Sequence, residues 1–289
     1  MIQLASNDLD KDVQQELDKL QNKVNKETTF AKKVKKARSL WNSKGGIKGK
    51  QAFNKITTQL YDLCVYEGIC NYCEQSEAND IEHIYPKSFF PDKTFLWENY
   101  LLACKQCNSG FKLDKCHVLG GDNELIIVNR GTEPLSKIGA FINPRIENPN
   151  DFMILNLKTF KFETLPGLSK REINKAKSTL EILELNKRDT LIEARKSAGR
   201  HYYEMLERLV RILDAETKDE LQDLLTPYDD RFDFSQSLEI LKEEINTSYK
   251  KYIARYQHPS VWYSIKMIES KTNLRWRKIF DVIPDALTW

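Results

Sequence analysis

The chain has 289 residues, of which 40% are hydrophobic and 30% are charged. This composition excludes a largely disordered protein, and the length is sufficient for one large domain or two ordinary ones. The formal net charge is only +3, so attraction to a polyanion has to come from a local basic patch rather than from the whole molecule.

The chain begins with MIQLASNDLDKDVQQELDKLQ, which contains no basic region followed by an apolar core and no small-residue cleavage site. No apolar run approaches the length of a membrane span. We therefore expect a cytoplasmic protein. In a reducing compartment, paired cysteines indicate metal ligands before they indicate disulfides.

Residues 1–67 are predicted to form an N-terminal helical region. Apolar side chains recur three or four residues apart in two runs, at Val13, Leu17, Leu20 and Val24 and at Phe53, Ile56, Leu60 and Leu63. Gly45, Gly46 and Gly49 are expected to separate the helices.

A basic stretch lies within this region, because residues 28–61 contain nine basic side chains and no Asp or Glu. Two interpretations stay open: a solvated helix face, or a surface that contacts phosphates. The basic residues are Lys32, Lys33, Lys35, Lys36, Arg38, Lys44, Lys48, Lys50 and Lys55.

Residues 68–119 form a compact module that contains two Cys-x-x-Cys pairs, Cys70 with Cys73 and Cys104 with Cys107. Two such pairs predict four thiolates around one structural zinc ion. Two disulfides or a redox motif are the alternatives, and the duplicated spacing disfavours both. Cys64 and Cys116 have no partner at ligand spacing and are interpreted as ordinary small apolar residues.

Polar residues suited to phosphodiester hydrolysis lie between and just after these pairs. Hydrolysis needs a base that activates water, a cation that balances charge on the phosphate, and a fixed orientation of both. Glu82 and His83 are neighbours on a predicted strand, and a twist after them, favoured by Pro86, would let both serve one site. Asn108 follows a zinc-bound cysteine and is expected at the start of a short helix, where it could supply a second metal ligand.

Residues 120–166 are predicted to be a short β connection, with β-like runs at Leu125–Val128 and Phe152–Phe162. Residues 167–289 are predicted to be a C-terminal helical region. Its first helix follows a capping box at Ser169 and Glu172, and a later short helix follows a second box at Thr217 and Glu220. Further helices are predicted at 187–213, 235–256 and 259–270. Their aromatic residues indicate core or partner interface more than base stacking.

The segment Cys70–Lys115 resembles the HNH (ββα-metal) endonuclease family in its zinc-bearing form. Glu-His stands in place of the more frequent Asp-His, and Asn stands in the third position. The fold expected from this resemblance is α+β and predominantly helical, with a ββα-metal module between N-terminal and C-terminal helical regions.

The resemblance also implies a role for each matching residue. His83 would be the general base, and Glu82 with Asn108 would bind one catalytic Mg²⁺ or Mn²⁺ ion. Asn99 would fix the loop that orients His83 through hydrogen bonds to the backbone. Lys112 and Lys87 would contact the substrate. The implied single-metal mechanism places the cation against the scissile phosphate and the leaving 3′ oxygen.

A wider resemblance runs from about Cys70 to Ile268. The strings NPRIENPNDF, KAKSTLEILELNKRDTLIEAR and HPSVWYSIKMI are similar to the PtuB family, the nuclease subunits of Septu-type antiphage systems, including those carried beside retrons. This resemblance implies a separately encoded ABC-type ATPase partner, PtuA. The chain itself has no G-x-x-x-x-G-K-[ST] motif for binding ATP.

Three functional hypotheses follow. The first is an HNH nuclease that cuts DNA as the effector of an ATPase-controlled defence complex. The second changes the substrate to RNA, such as tRNA, because the attacking group and metal do not distinguish the sugar unless a contact recognises the 2′-hydroxyl. The third is a zinc-stabilised module that binds nucleic acid or protein and cleaves nothing.

Overall fold

A computed structural model of the chain describes residues 1–5, 7–64, 66 and 68–289. The predicted segment boundary at Glu67 lies outside the described residues, and the division into four segments stays a prediction. The described residues form two compact units, one of Met1–Ile154 with Lys161–Leu191 and one of Leu155–Phe160 with Ile192–Trp289. The fold is α+β and predominantly helical, as predicted.

The N-terminal region forms three helices, α1 (Lys11–Asn25), α2 (Phe30–Ser43) and α3 (Ile47–Asp62). Both predicted apolar runs are buried, which confirms the helical interpretation. Thr29 caps α2 by accepting a hydrogen bond from the backbone N–H of Lys32.

The prediction for Gly49 was wrong, because this residue lies inside α3 rather than between helices. A Cβ atom on Gly49 would lie 1.5 Å from the carbonyl oxygen of Lys44, so close packing of the turn requires glycine here. Lys44, Gly45 and Gly46, all with positive φ, make the turn between α2 and α3.

Strands β1 (Asp80–His83) and β2 (Tyr100–Ala103) form an antiparallel pair. In this pair Glu82 lies opposite Leu101, and His83 lies opposite Tyr100. β2 leads through Cys104 into a π-helix at Gln106–Lys112, so two strands and a short helix follow one another around the cysteines.

Two further strand pairs follow, β3 (His117–Leu119) with β4 (Leu125–Ile127), and β5 (Met153–Asn156) with β6 (Lys161–Thr164). The run predicted at 125–128 is thus confirmed, whereas the run predicted at 152–162 is divided by a turn. Cys116 is buried in a core cluster with Phe89, Phe90 and Val118, as expected for an apolar residue.

The remaining helices are α4 (Lys170–Ile182), α5 (Asp189–Asp214), α6 (Lys218–Leu224), α7 (Leu238–Ala254), α8 (Pro259–Ser264), α9 (Ser270–Thr272) and α10 (Leu274–Val282). Both predicted capping boxes are present, at the starts of α4 and α6. A π-helix at Ile265–Glu269 joins α8 to α9, and α10 was not predicted. No helix among the described residues combines the length and apolar character needed to cross a membrane.

Candidate functional site

Four cysteines converge on one point. The sulfur atoms of Cys70, Cys73, Cys104 and Cys107 all lie within 4.8 Å of one another, and all four side chains are buried. Zinc–sulfur bonds of about 2.3 Å in a tetrahedron require sulfur atoms about 3.8 Å apart. The sulfurs of Cys73 and Cys104 are 3.9 Å apart, so the four thiols fit a zinc ion.

Local hydrogen bonds shape the two cysteine turns. The backbone N–H of Glu74 donates to the carbonyl of Cys70 at 2.8 Å, and that of Cys107 donates to the sulfur of Cys104 at 3.4 Å. Arg188 donates to the sulfur of Cys107 at 3.3 Å. A hydrogen bond with the Cys107 thiol lowers the pKa of Cys104 to about 7. Burial raises the pKa of Cys70, and the hydrogen bond with Cys104 raises that of Cys107, so without an ion only part of the cluster is in the thiolate form that binds zinc.

The strand pair brings Glu82 and His83 to one cavity of about 380 Å³, which Asn108 and Lys87 also line. β1 ends at His83, and the chain then turns at Pro86, whose carbonyl accepts hydrogen bonds from the backbone N–H groups of residues 89 and 90. The structure therefore brings together the three residues predicted to form the chemical centre.

The imidazole of His83 is held in one orientation. Its Nε2 lies 3.0 Å from the carbonyl oxygen of Thr94. Because a carbonyl oxygen can only accept, Nε2 carries the hydrogen and Nδ1 keeps its lone pair. The ring of Trp41 packs 4.2 Å away, centroid to centroid. Burial holds the pKa of His83 well below its usual value, so the ring is neutral near pH 7.

Asn99 ties both ends of the loop after β1 together. Its Oδ1 accepts from the backbone N–H of Tyr85 at 2.7 Å, and its Nδ2 donates to the carbonyls of Tyr85 at 3.1 Å and Lys93 at 2.8 Å. Thr94, the partner of His83, is the next residue in this loop. These bonds have the geometry expected for the predicted orienting role, which stays a prediction.

Lys112 does not line the cavity. It is 1% exposed, its ammonium lies 2.5 Å from a carboxylate oxygen of Glu82, and it donates to the carbonyl of His83 at 2.7 Å. The expected phosphate contact of Lys112 is therefore not what this geometry provides. Lys87, the other predicted substrate contact, does line the cavity.

The oxygen donors in the cavity can be compared with the ligands that the predicted catalytic metal needs. Mg²⁺ takes oxygen ligands, commonly one or two from protein carboxylates, with water and substrate phosphate completing the shell. Glu82 and Asn108 supply oxygens in one cavity, and Asn108 turns its Nδ2 toward Asp80, at 3.1 Å. Burial raises the pKa of Glu82, and Lys112 opposes that shift. The residues fit Mg²⁺ by chemistry, provided that the cation replaces Lys112 at the carboxylate.

Sequence reasoning missed several groups in the cavity wall. Arg38 and Trp41 reach it from α2, and Arg130 reaches it from the loop after β4. Arg38 was named in the basic stretch, for which a phosphate-contacting surface was one interpretation, but it was not assigned to this site. Thr94 acts through its carbonyl, a group that every residue carries, so no pattern of side chains could have found it.

The chain is similar to Septu protein PtuB of Bacillus thuringiensis, with 26% identity over 171 residues, which are 57% of this chain and 55% of the relative. The chain thus matches little more than half of the relative's length. This similarity confirms the predicted resemblance to PtuB. No protein-family model matches the chain, and no solved structure matches it.

Proposed function

We propose that this chain is a metal-dependent nuclease of the HNH type and the effector of an antiphage defence system. The observation that carries the proposal is the His83 imidazole, which is buried, neutral and held by Thr94, in a cavity that Glu82 and Asn108 also line. The similarity to Septu protein PtuB supports a defence role.

In the proposed reaction, Nδ1 of His83 accepts a proton from a water molecule as the water oxygen bonds to phosphorus. The bond from phosphorus to the 3′ oxygen breaks, and the leaving oxygen takes a proton from solvent. A bound Mg²⁺ would balance the charge on the phosphate and on the leaving oxygen. Glu82 and Asn108 would hold that ion, while the Asn99 loop keeps the Thr94 carbonyl on Nε2.

The proposed partner is an ABC-type ATPase, PtuA in Septu systems, encoded separately. The resemblance to PtuB is the support for this partner. A chain without a P-loop motif of its own is consistent with ATPase control by another subunit.

The proposal is tested directly by incubating the full chain, alone or together with its ATPase partner, with supercoiled plasmid or tRNA in the presence of Mg²⁺ or Mn²⁺. We expect nicking or cutting of DNA. We also expect loss of about 10²-fold or more of the rate in His83→Ala, the range in which general bases contribute. Cutting of tRNA alone would keep the chemistry and change the substrate to RNA.

His201→Gln is a matched control, because this histidine lies in the second compact unit and does not line the cavity. Zinc content and circular dichroism would check that each variant folds. Cleavage by His83→Ala at the wild-type rate would show that the base is wrongly assigned. Unchanged defence activity in both Glu82→Ala and Asn108→Ala would instead support a binding module without catalysis.

A further inference from the structure

A second cavity, of about 460 Å³, adjoins the one at His83. The two share Arg38, Ser88 and Arg130 as lining residues, so they are neighbours. We call the second cavity the α2 groove. It is lined by one face of α2, with Phe30, Val34, Lys35 and Arg38, and by Ser88 and Arg130 opposite.

The charge of the α2 groove is of one sign. Among the described residues that line it, three are basic and none is acidic. The guanidinium of Arg38 is positioned by a hydrogen bond to the hydroxyl of Ser88 at 2.9 Å. Arg130 is ion-paired with Asp114 at 2.9 Å, so Lys35 and Arg38 supply most of the uncompensated charge. Phe30 and Val34 add an apolar floor.

The basic residues of the stretch at 28–61 lie in different surroundings, and only some of them line the groove. Lys55 is ion-paired with Asp10 and Asp12, and the Lys44 ammonium packs 3.2 Å from the centroid of the Trp41 ring. Neither lines the α2 groove. Of the nine basic residues, only Lys35 and Arg38 line it. Two of the nine thus belong to the groove, and one of these, Arg38, also lines the His83 cavity.

We propose that the α2 groove binds one strand of the nucleic-acid substrate, on one side of the phosphate to be cut. Phosphates are the ligands that a positive groove with a positioned guanidinium selects, and an apolar floor suits a base or sugar. This inference rests on the proposed function in one respect, since a strand lying here continues into the cavity at His83. It assigns to α2, which the sequence resemblance did not cover, the task of holding that strand.

The test measures binding, not cleavage. The full chain carrying His83→Ala is titrated into fluorescein-labelled 20-nucleotide single-stranded DNA, and into RNA of the same sequence, at several salt concentrations. We expect Lys35→Gln/Arg38→Gln to weaken binding roughly tenfold. We also expect the slope of the log association constant against log salt concentration to become shallower by about 1.4, because each phosphate contact on a single strand contributes about 0.7 to this slope.

Lys33→Gln/Lys36→Gln is the matched control, in the same helix and with the same loss of charge. At 100° per residue these two lysines lie about 100° to 160° around α2 from Lys35 and Arg38, and neither lines the groove. The control is expected to bind within about twofold of the parent. Ser88→Ala, which removes only the partner of Arg38, is expected to weaken binding by a smaller factor.

Equal losses of affinity in the groove variant, Lys35→Gln/Arg38→Gln, and in the control would overturn the proposal, since binding would then follow net charge alone. No loss in the groove variant, no binding of either probe by the parent, or displacement of the probe by polyglutamate but not by unlabelled strand would also overturn it. Cleavage decides the proposed function separately. If the chain with His83 intact cuts neither DNA nor RNA while the groove variant loses binding, the groove assignment stands and the nuclease assignment is wrong.

Discussion

The ammonium of Lys112 lies 2.5 Å from a carboxylate oxygen of Glu82, and the two side chains are 1% and 4% exposed. The same ammonium donates to the carbonyl of His83, so one buried cation ties the end of the π-helix to two consecutive residues of β1. Lys112 therefore helps to position Glu82 and His83 without lining the cavity itself, and its positive charge balances the Glu82 carboxylate.

Lys112→Met is expected to destabilise the fold by about 3 kcal/mol or more, because removing one partner of a buried pair leaves the other charge uncompensated. Urea unfolding at pH 7 measures this change. Lys115→Met is the control, since Lys115 is half exposed and its pair with Glu184 spans 3.5 Å; its loss is expected below about 1 kcal/mol. Equal effects in both variants would contradict the structural role of Lys112.

Asn99→Ala is expected to lose about 2 kcal/mol or more of stability. The substitution leaves one backbone N–H and two carbonyls of the loop without their side-chain partner. Nuclease activity should fall as well, because Thr94 loses its fixed position against His83. Thermal unfolding and plasmid nicking measure the two effects. Asn129→Ala, at an exposed loop position, should change neither, and a stable Asn99→Ala with full activity would refute the orienting role.

One zinc ion per chain is expected by mass spectrometry, and Cys73→Ser should lose it together with a large part of the thermal stability. A strong chelator should lower the melting temperature of the wild type in the same way. Cys64→Ser is the control, because Cys64 lies outside the cluster and interacts with Asn71. If Cys73→Ser kept stoichiometric zinc, the four-thiolate site would be wrongly assigned.

Lys44 provides a prediction about pH. Burial, with a smaller contribution from Lys87, lowers the pKa of Lys44 from 10.5 to about 8. The unfolded chain therefore binds more protons at this residue between pH 8 and 10.5, so the stability of the folded state rises with pH across that window. We expect the wild type to gain stability relative to Lys44→Met as pH is raised from 8 to 10 in urea titrations. A difference that stays constant or shrinks would show that the Lys44 pKa is not lowered.

Much of the fold and part of the site could be predicted because the signals are local. The two Cys-x-x-Cys pairs each fix a turn within four residues, and the capping boxes and apolar runs of α1 and α4 repeat within one or two helical turns. Such features depend on neighbours in the chain, so the sequence by itself determined the four-cysteine cluster, most helices and the place of Glu82 and His83 on a strand.

Only the tertiary structure decided what surrounds those residues. The bond from Lys112 to the carbonyl of His83 joins residues 29 apart, and Trp41 packs on His83 from a helix outside the module. Such contacts depend on how helices and loops fold back on one another, which no short pattern records. Burial then sets the charge states of Glu82, His83 and Lys44, because the cost of removing a charge from water depends on neighbours that are distant in sequence.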